Sequence, residues 1–256
     1  MSTDDLLEKG IRALEAGDPK SATQCFQQVL DLEPSPETWL LLAEAQIEND
    51  MFNKAYASLD AGLELEPGHV DLLFALGDLY LEDNKNADAI MTYQKIIDLD
   101  PEDVDAWVCK AMAYVNNDEL EVAEKTCRHA LERDPDCSFA LNALGDIQVV
   151  QGNPEAAIQS YERAAELDPQ DPQPFLNLAE LFYDAEKLEE AEAYCIRGLE
   201  LDASVPAGYL TLGNIYLDLD RTQEAIENYQ QFLRLEKSPA AKQIRDEVAA
   251  VIEGLT

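Results

Sequence analysis

Histidine is nearly missing from this chain: His69 and His129 are the only two in 256 residues. Imidazole metal sites and imidazole acid–base pairs therefore have almost no raw material. Cysteine is scarce as well. Cys25, Cys109, Cys127, Cys137 and Cys195 form an odd total with no C-x-x-C pair, which speaks against a disulfide framework and for reduced thiols in a cytoplasmic setting. The largest deficit is positive charge. Against 53 Asp and Glu stand 18 Lys and Arg, a formal net charge of −35. A nucleic acid is bound by neutralising its phosphates with Lys and Arg, so such a ligand would be repelled. Long apolar runs are absent too. The longest runs, such as Trp39 to Ala43, fall far short of the ~18 residues a membrane-spanning helix needs. The first residues, Ser2-Thr3-Asp4-Asp5, are acidic where an export signal is basic, so neither membrane insertion nor export is expected. No phosphate-cradling Gly-rich loop, G-x-S-x-G or H-E-x-x-H occurs, and no catalytic residue, metal ligand or cofactor is expected.

What the chain does have is a 46% hydrophobic share, enough apolar surface to offset chain entropy, and a period. Prolines stand at Pro34, Pro67, Pro101, Pro135 and Pro169, spaced 33 or 34 residues apart. Two further steps of 34 reach Ala203 and Lys237, where the proline is lost but the preceding residue stays acidic, Asp202 and Glu236, as at the other five boundaries. Seven units fit. A small residue recurs as Gly10, Ala43, Gly77, Ala111, Gly145, Ala179 and Gly213. Twelve residues after each comes an alanine: Ala22, Ala55, Ala89, Ala123, Ala157, Ala191 and Ala225. Four residues after that lie Phe26, Leu59, Tyr93, Cys127, Tyr161, Cys195 and Tyr229.

Spacings of three and four place these residues on one face of an α-helix. A fixed Gly or Ala lets two helix backbones approach closely while a bulky neighbour fills the remaining space. Between the small residue and the alanine sits a polar turn, such as Gly17-Asp18-Pro19 or Gly152-Asn153-Pro154. Asp18 and Asn153 suit the N-cap there, and proline suits the first helical turn, where its missing N–H had no partner. Proline at the unit boundary stops the second helix. Each unit reads as two antiparallel helices.

The order Leu73, Leu76-Gly77, Tyr80, Ala89, Tyr93, Pro101, repeated with variations along the chain, resembles the tetratricopeptide repeat. The resemblance implies an all-α, right-handed superhelical solenoid of antiparallel helix pairs. We expect one repeat domain over 1–256, with seven units over about 3–237 and a capping helix in 238–256. Ile244, Val248, Val251 and Ile252 would form the apolar face of that cap. Cys127 and Cys195 fall in the aromatic column and read as packing residues. The acidic stretch Asp98 to Asp105 lacks the central glycine and terminal glutamate of a calcium loop and reads as a solvated turn.

In proteins resembling this family the first helix of each unit lines a concave, ligand-taking face. Residues spaced four then three form one stripe along it: Leu40, Glu44, Ile47; Phe74, Asp78, Leu81; Val108, Met112, Val115; Asn142, Asp146, Val149; Leu176, Glu180, Tyr183; Leu210, Asn214, Leu217. The central column, Glu44, Asp78, Met112, Asp146, Glu180 and Asn214, contains no Lys or Arg and is expected to face solvent throughout. Family members that hold a peptide's C-terminal carboxylate use Lys on this face, so that ligand is disfavoured. An acidic groove with apolar rails suits a basic, amphipathic protein segment or peptide. The same acidity also serves to keep a rigid solenoid in solution, and the sequence leaves both readings open. The function implied is a non-catalytic interaction scaffold or adaptor. A peptide-sensing regulator that changes curvature on binding is the alternative, and self-association through the repeat ends stays open.

Replacing Ala89 or Ala157 with Leu should cost about 1–3 kcal/mol through overpacking of the helix pair, measured by urea midpoint. The same change at Gln170 should cost far less, and equal costs would show the columns to be misassigned.

Overall fold

The computed structural model describes residues 2–255, and every regular element among them is an α-helix. In chain order these are α1 (Thr3–Glu15), α2 (Pro19–Leu30), α3 (Pro36–Ile47), α4 (Phe52–Leu65), α5 (Val70–Glu82), α6 (Asn86–Leu99), α7 (Val104–Asn116) and α8 (Leu120–Arg133). They continue with α9 (Ser138–Val150), α10 (Pro154–Leu167), α11 (Gln173–Asp184), α12 (Leu188–Leu201), α13 (Pro206–Asp218), α14 (Thr222–Leu235) and α15 (Lys242–Leu255). The helices group into two compact units, one over 1–133 and one over 134–256. The first holds four helix pairs, α1–α8. The second holds three, α9–α14, followed by α15. Within each unit the pairs stack as in a tetratricopeptide solenoid, the second helix of one pair packing on the first helix of the next. First helices also touch first helices of neighbouring pairs, α3 on α5 and α5 on α7 in one unit, α11 on α13 in the other.

Local chemistry explains where the helices begin and end. Asp18 accepts the Ser21 backbone N–H at 3.1 Å, and Asp103 accepts that of Ala106 at 2.8 Å, each satisfying a donor that the first helical turn leaves open. Asn153 occupies the N-cap position of α10, but its side chain makes no capping bond there. Pro154 presets the first turn instead. Glu66 and Asp100 leave the helix in extended conformation directly before Pro67 and Pro101, because the proline ring clashes with a helical predecessor. Asp202 does the same before Ala203, so the register survives without the proline. Inside the acidic stretch at this boundary, Asp103 caps α7 and Asp100 accepts the Glu102 backbone N–H at 3.0 Å. Those are the bonds of a turn.

The turn within each pair carries a column that sequence columns alone do not explain. Gly17, Asp50, Asn84, Asp118, Gly152, Glu186 and Asp220 all have positive φ, between 55° and 77°. A left-handed residue ends the first helix and reverses the chain. Glycine adopts it without strain, and Asp and Asn more readily than most residues.

The core of each pair is built on size complementarity. All seven column alanines, from Ala22 to Ala225, are completely buried. A Cβ added to Gly77 would lie 2.6 Å from the ring of Tyr93, and Gly10, Gly145 and Gly213 meet Phe26, Tyr161 and Tyr229 in the same way. Where the small residue is alanine, as at Ala43, Ala111 and Ala179, the opposing residue shrinks to Leu59, Cys127 or Cys195, all completely buried. The helix backbones thus meet over glycine with an aromatic ring, or over alanine with a smaller side chain. At the end of the chain α15 packs on α14. Val248 joins the core there and Ile252 packs against it, while Ile244 and Val251 remain 37% and 38% exposed.

Gly77→Ala should destabilise the chain by about 1–3 kcal/mol despite alanine's better helix propensity, because the buried Tyr93 ring has nowhere to move. Combined with Tyr93→Leu, which recreates the Ala43–Leu59 pairing, the loss should fall below the sum of the single losses by about 1 kcal/mol or more in urea unfolding. Strict additivity would refute the size-complementarity account.

Candidate partner-binding face

The first helices place the stripe residues in each unit as follows. In the first unit Leu40 and Ile47 on α3 are half-buried against the Ala43–Leu59 core, and Phe74 and Leu81 on α5 against the Leu73–Tyr93 core. Met112 and Val115 on α7 are half-buried. Val108, by contrast, is fully buried and faces no solvent. The first pair continues the same stripe with Leu7, Ile11 and Leu14, at the same offsets from Gly10. Ile11 is 36% exposed, so this end of the face is apolar. Glu44 is exposed. Crowding by the protein around it, with Glu48 and Asp71 adding repulsion, raises its carboxyl above the ordinary value.

The central column does not face solvent uniformly. Tyr93 donates its hydroxyl to Asp78 at 2.6 Å, Tyr161 to Asp146 at 2.7 Å, and Tyr229 to Asn214 at 2.8 Å. Each tyrosine ring is buried at the close approach of its helix pair, and its hydroxyl emerges on the first-helix face, where the column residue accepts it. Asp78, Asp146 and Asn214 therefore serve the helix pair itself. Charge reversal at Asp78 or Asp146 would break a bond anchored in the core, so neither is a clean probe of ligand binding. Pairs with Phe26, Leu59, Cys127 or Cys195 have no hydroxyl to satisfy, and there the column holds Ile11, Glu44, Met112 and Glu180.

In the second unit Asn142 is 9% exposed, with its carbonyl oxygen accepting the Asn177 amide at 3.1 Å. Asn177 donates equally to Asp146 at 3.1 Å, joining α11 to α9 through a polar network. Asp146, Val149 and Glu180 come together in a recess of about 250 Å³, together with Val150, Asn177, Leu181 and Asp184. Asn177 and Asp184 lie three and four residues from Glu180, so helical spacing alone could have found them. The exposure of Val150 could not be found that way, because it lies outside the stripe. Tyr183 is turned to another task, donating to Asp218 at 2.8 Å, with its own hydroxyl pKa pushed up to about 12 by burial.

Burial raises the Asp146 carboxyl above its ordinary value, against the opposing pull of the Tyr161 bond. Glu180 is raised as well, by crowding and by Asp184 and Asp146 nearby. Among the described residues no ion pair involves Glu44, Asp78, Asp146, Glu180 or Asp184. Several of the chain's cations are engaged elsewhere. Arg221 bonds Glu192 and Glu224, both at 2.7 Å, Arg163 bonds Asp136 at 2.9 Å, and Lys85 bonds Asp83 at 2.9 Å. None of the five cysteines is in a disulfide, and burial pushes the Cys109 and Cys195 thiols up to about 12, which keeps the nucleophilic thiolate out of reach. Among the described residues no helix is long and apolar enough to cross a membrane.

Comparison with known proteins adds the following. A tetratricopeptide repeat profile matches residues 49–104, 109–172 and 142–206, and further profiles of the same description match 13–69, 92–125 and 206–239. Over 96 residues the chain is 30% identical to the peroxisomal targeting signal receptor of Komagataella phaffii, covering 37% of this chain and 17% of that protein. Over 90 residues it is 29% identical to sperm-associated antigen 1 of Homo sapiens, covering 35% of this chain and 10% of that one. The matched stretch is thus a small part of either relative. Among solved structures, yeast Tom70 superposes with a TM-score of 0.83 over 99% of this chain and 53% of its own, at 18% identity. A tetratricopeptide repeat protein from Parabacteroides merdae gives 0.76 over 98% of both chains, also at 18% identity. At such identities the likeness is one of fold.

Because the folded state raises the Asp146 pKa, it binds that proton more tightly than the unfolded chain. The group therefore lowers stability as pH rises from the ordinary carboxylate range through its raised value. Asp146→Asn removes the charge but keeps an oxygen for Tyr161, as Asn214 does for Tyr229. The variant should match or exceed the parent in urea unfolding at pH 7, and its advantage should shrink toward pH 4. A variant that is weaker at pH 7 by the same margin at both pH values would contradict this.

Proposed function

The chain belongs to the tetratricopeptide repeat family, whose repeats typically mediate protein–protein interactions, and on that premise we propose that it is a non-catalytic scaffold or adaptor taking a basic, amphipathic segment of a partner protein or peptide on its first-helix faces. The observation that carries this reading is the set of first-helix carboxylates without an internal cation, set beside half-exposed apolar side chains. Glu44 lies on the same helix as Leu40 and Ile47, and Glu180 shares its recess with Val149 and Val150. Half-exposed apolar groups supply contact area, and unpaired carboxylates select the sign of the partner and speed its approach. A curated relative bearing the name of a targeting signal receptor, alike over part of the chain, is in keeping with a peptide ligand. Catalysis has no support in the residues, since the two raised thiols are held protonated and both histidines have structural partners. His69 accepts the Leu72 backbone N–H at 3.4 Å, and the His129 ring packs against Trp107.

The test uses two synthetic helical peptides with the same leucine face, one carrying Lys and Arg on its polar side and the other Asp and Glu. The basic peptide should bind and the acidic one should not. Raising salt should weaken binding mainly through a slower association rate, since screening shortens to ~3 Å at 1 M. Glu44→Lys with Glu180→Lys should reduce affinity by about tenfold, while Asp88→Lys with Glu155→Lys, on second helices, should change it little. Equal loss from both pairs, or tight binding of the acidic peptide, would refute the reading.

A further inference from the structure

The recess between α9 and α11 is more than a stretch of acidic surface. Its lining is partly apolar and open: Val149 is 40% exposed and Val150 55%, and Leu181 from α11 also lines it. The same recess is lined by the carboxylates Asp146, Glu180 and Asp184. Asp146 is held in place from two sides, by the Tyr161 hydroxyl at 2.7 Å and the Asn177 amide at 3.1 Å, both on its Oδ1. Among the described residues no partner is recorded for Oδ2. Glu180 and Asp184 project from the same helix four residues apart, with no Lys or Arg of the described residues reaching them.

Exposed apolar side chains and carboxylates in one small recess ask for a ligand with both characters in one side chain. A long cationic side chain has them: methylenes that lie along apolar surface and a charged head that reaches polar groups. An ammonium is a compact and strongly hydrated charge. A guanidinium is more weakly hydrated, so it sheds water into a half-buried recess more readily, and its planar fork can donate to two carboxylates on different helices at once. We propose that this recess is the seat of a single arginine side chain of the partner segment, its methylenes on Val149, Val150 and Leu181 and its guanidinium between Asp146 and Glu180. The proposal rests on the basic-partner reading and narrows it to one anchoring residue and one place.

The experiment is methyl NMR of the full chain titrated with butylguanidinium, the free form of the arginine side chain. Butylurea serves as its neutral counterpart of like shape, and butylammonium as the lysine counterpart. Butylguanidinium should shift the methyls of Val149, Val150 and Leu181 in a saturable way, and butylurea should not. Glu180→Gln together with Asp146→Asn should weaken the interaction about fivefold or more, with circular dichroism confirming an intact fold. Asp88→Asn on α6 should leave it unchanged. Equal shifts from butylurea, shifts spread over the acidic surface, equal binding of butylammonium, or an unaffected double variant would each overturn the assignment. If the basic peptide described above binds but butylguanidinium leaves these methyls in place, the arginine seat fails while the broader binding role stands.

Discussion

The structure depends on one contact, the close approach of the two helices within each pair at the small residue of the first helix. Space there is fixed, so glycine admits an aromatic ring and alanine admits only leucine or cysteine. That choice in the core reaches the surface. A phenylalanine ring, as at Phe26, ends without a polar atom, and the column above it is the apolar Ile11. A tyrosine ring carries a hydroxyl that must find an acceptor once it is largely removed from water. Tyr93, Tyr161 and Tyr229 find it one residue beyond the glycine, in Asp78, Asp146 and Asn214. The polar residues of the central column are therefore of two kinds, those demanded by a tyrosine beneath them and those, Glu44 and Glu180, that answer to nothing in the core.

This division also shows how far the sequence could be read. The period, the alanine column, the boundary prolines and the small residues are local or strictly periodic signals, and each maps directly onto a helix end or a buried contact. Proline replacements at Ala203 and Lys237 did not obscure the register, because the acidic residue before them adopts the same extended conformation in either case. The pairing of Gly77 with Tyr93 spans 16 residues and two columns, and becomes visible only when the columns are compared with each other. Stripe geometry put Asp146 and Asn142 on the same face of α9. It could not show that Asn177, from the following pair, would draw both into a network, since that depends on side-chain reach across a stack. Burial was misjudged for the same reason: helical spacing gives the direction in which a residue points, and the neighbouring pair decides whether solvent remains there.

Charge acts on two length scales in this molecule. A formal net charge of −35 draws any cationic partner toward any part of the surface, but at physiological ionic strength that attraction is screened beyond ~8 Å. It raises encounter rates without choosing a site. Several cations are instead stacked on rings, as Arg221 is on Tyr216 at 4.2 Å and Arg133 on Trp107 at 4.5 Å. They strengthen the packing there and leave the first-helix carboxylates uncompensated.

Selection of a site must then come from groups that water and salt screen least. Glu44, Asp146 and Glu180 are such groups, because protein crowds each of them enough to raise its pKa. The same crowding that makes them weaker acids makes their attraction for a docked cation stronger. A cation seated beside Glu180 offsets the desolvation and repulsion that raise its pKa, so docking lowers that pKa and releases any proton still held. Linkage works in the other direction too: acidification that protonates these carboxylates would weaken the docking of a cation on them. On the proposed binding face partners would be distinguished by local desolvation, and the helix pairs beneath it, through their choice of tyrosine, leucine or cysteine, determine which column positions are not needed by the core.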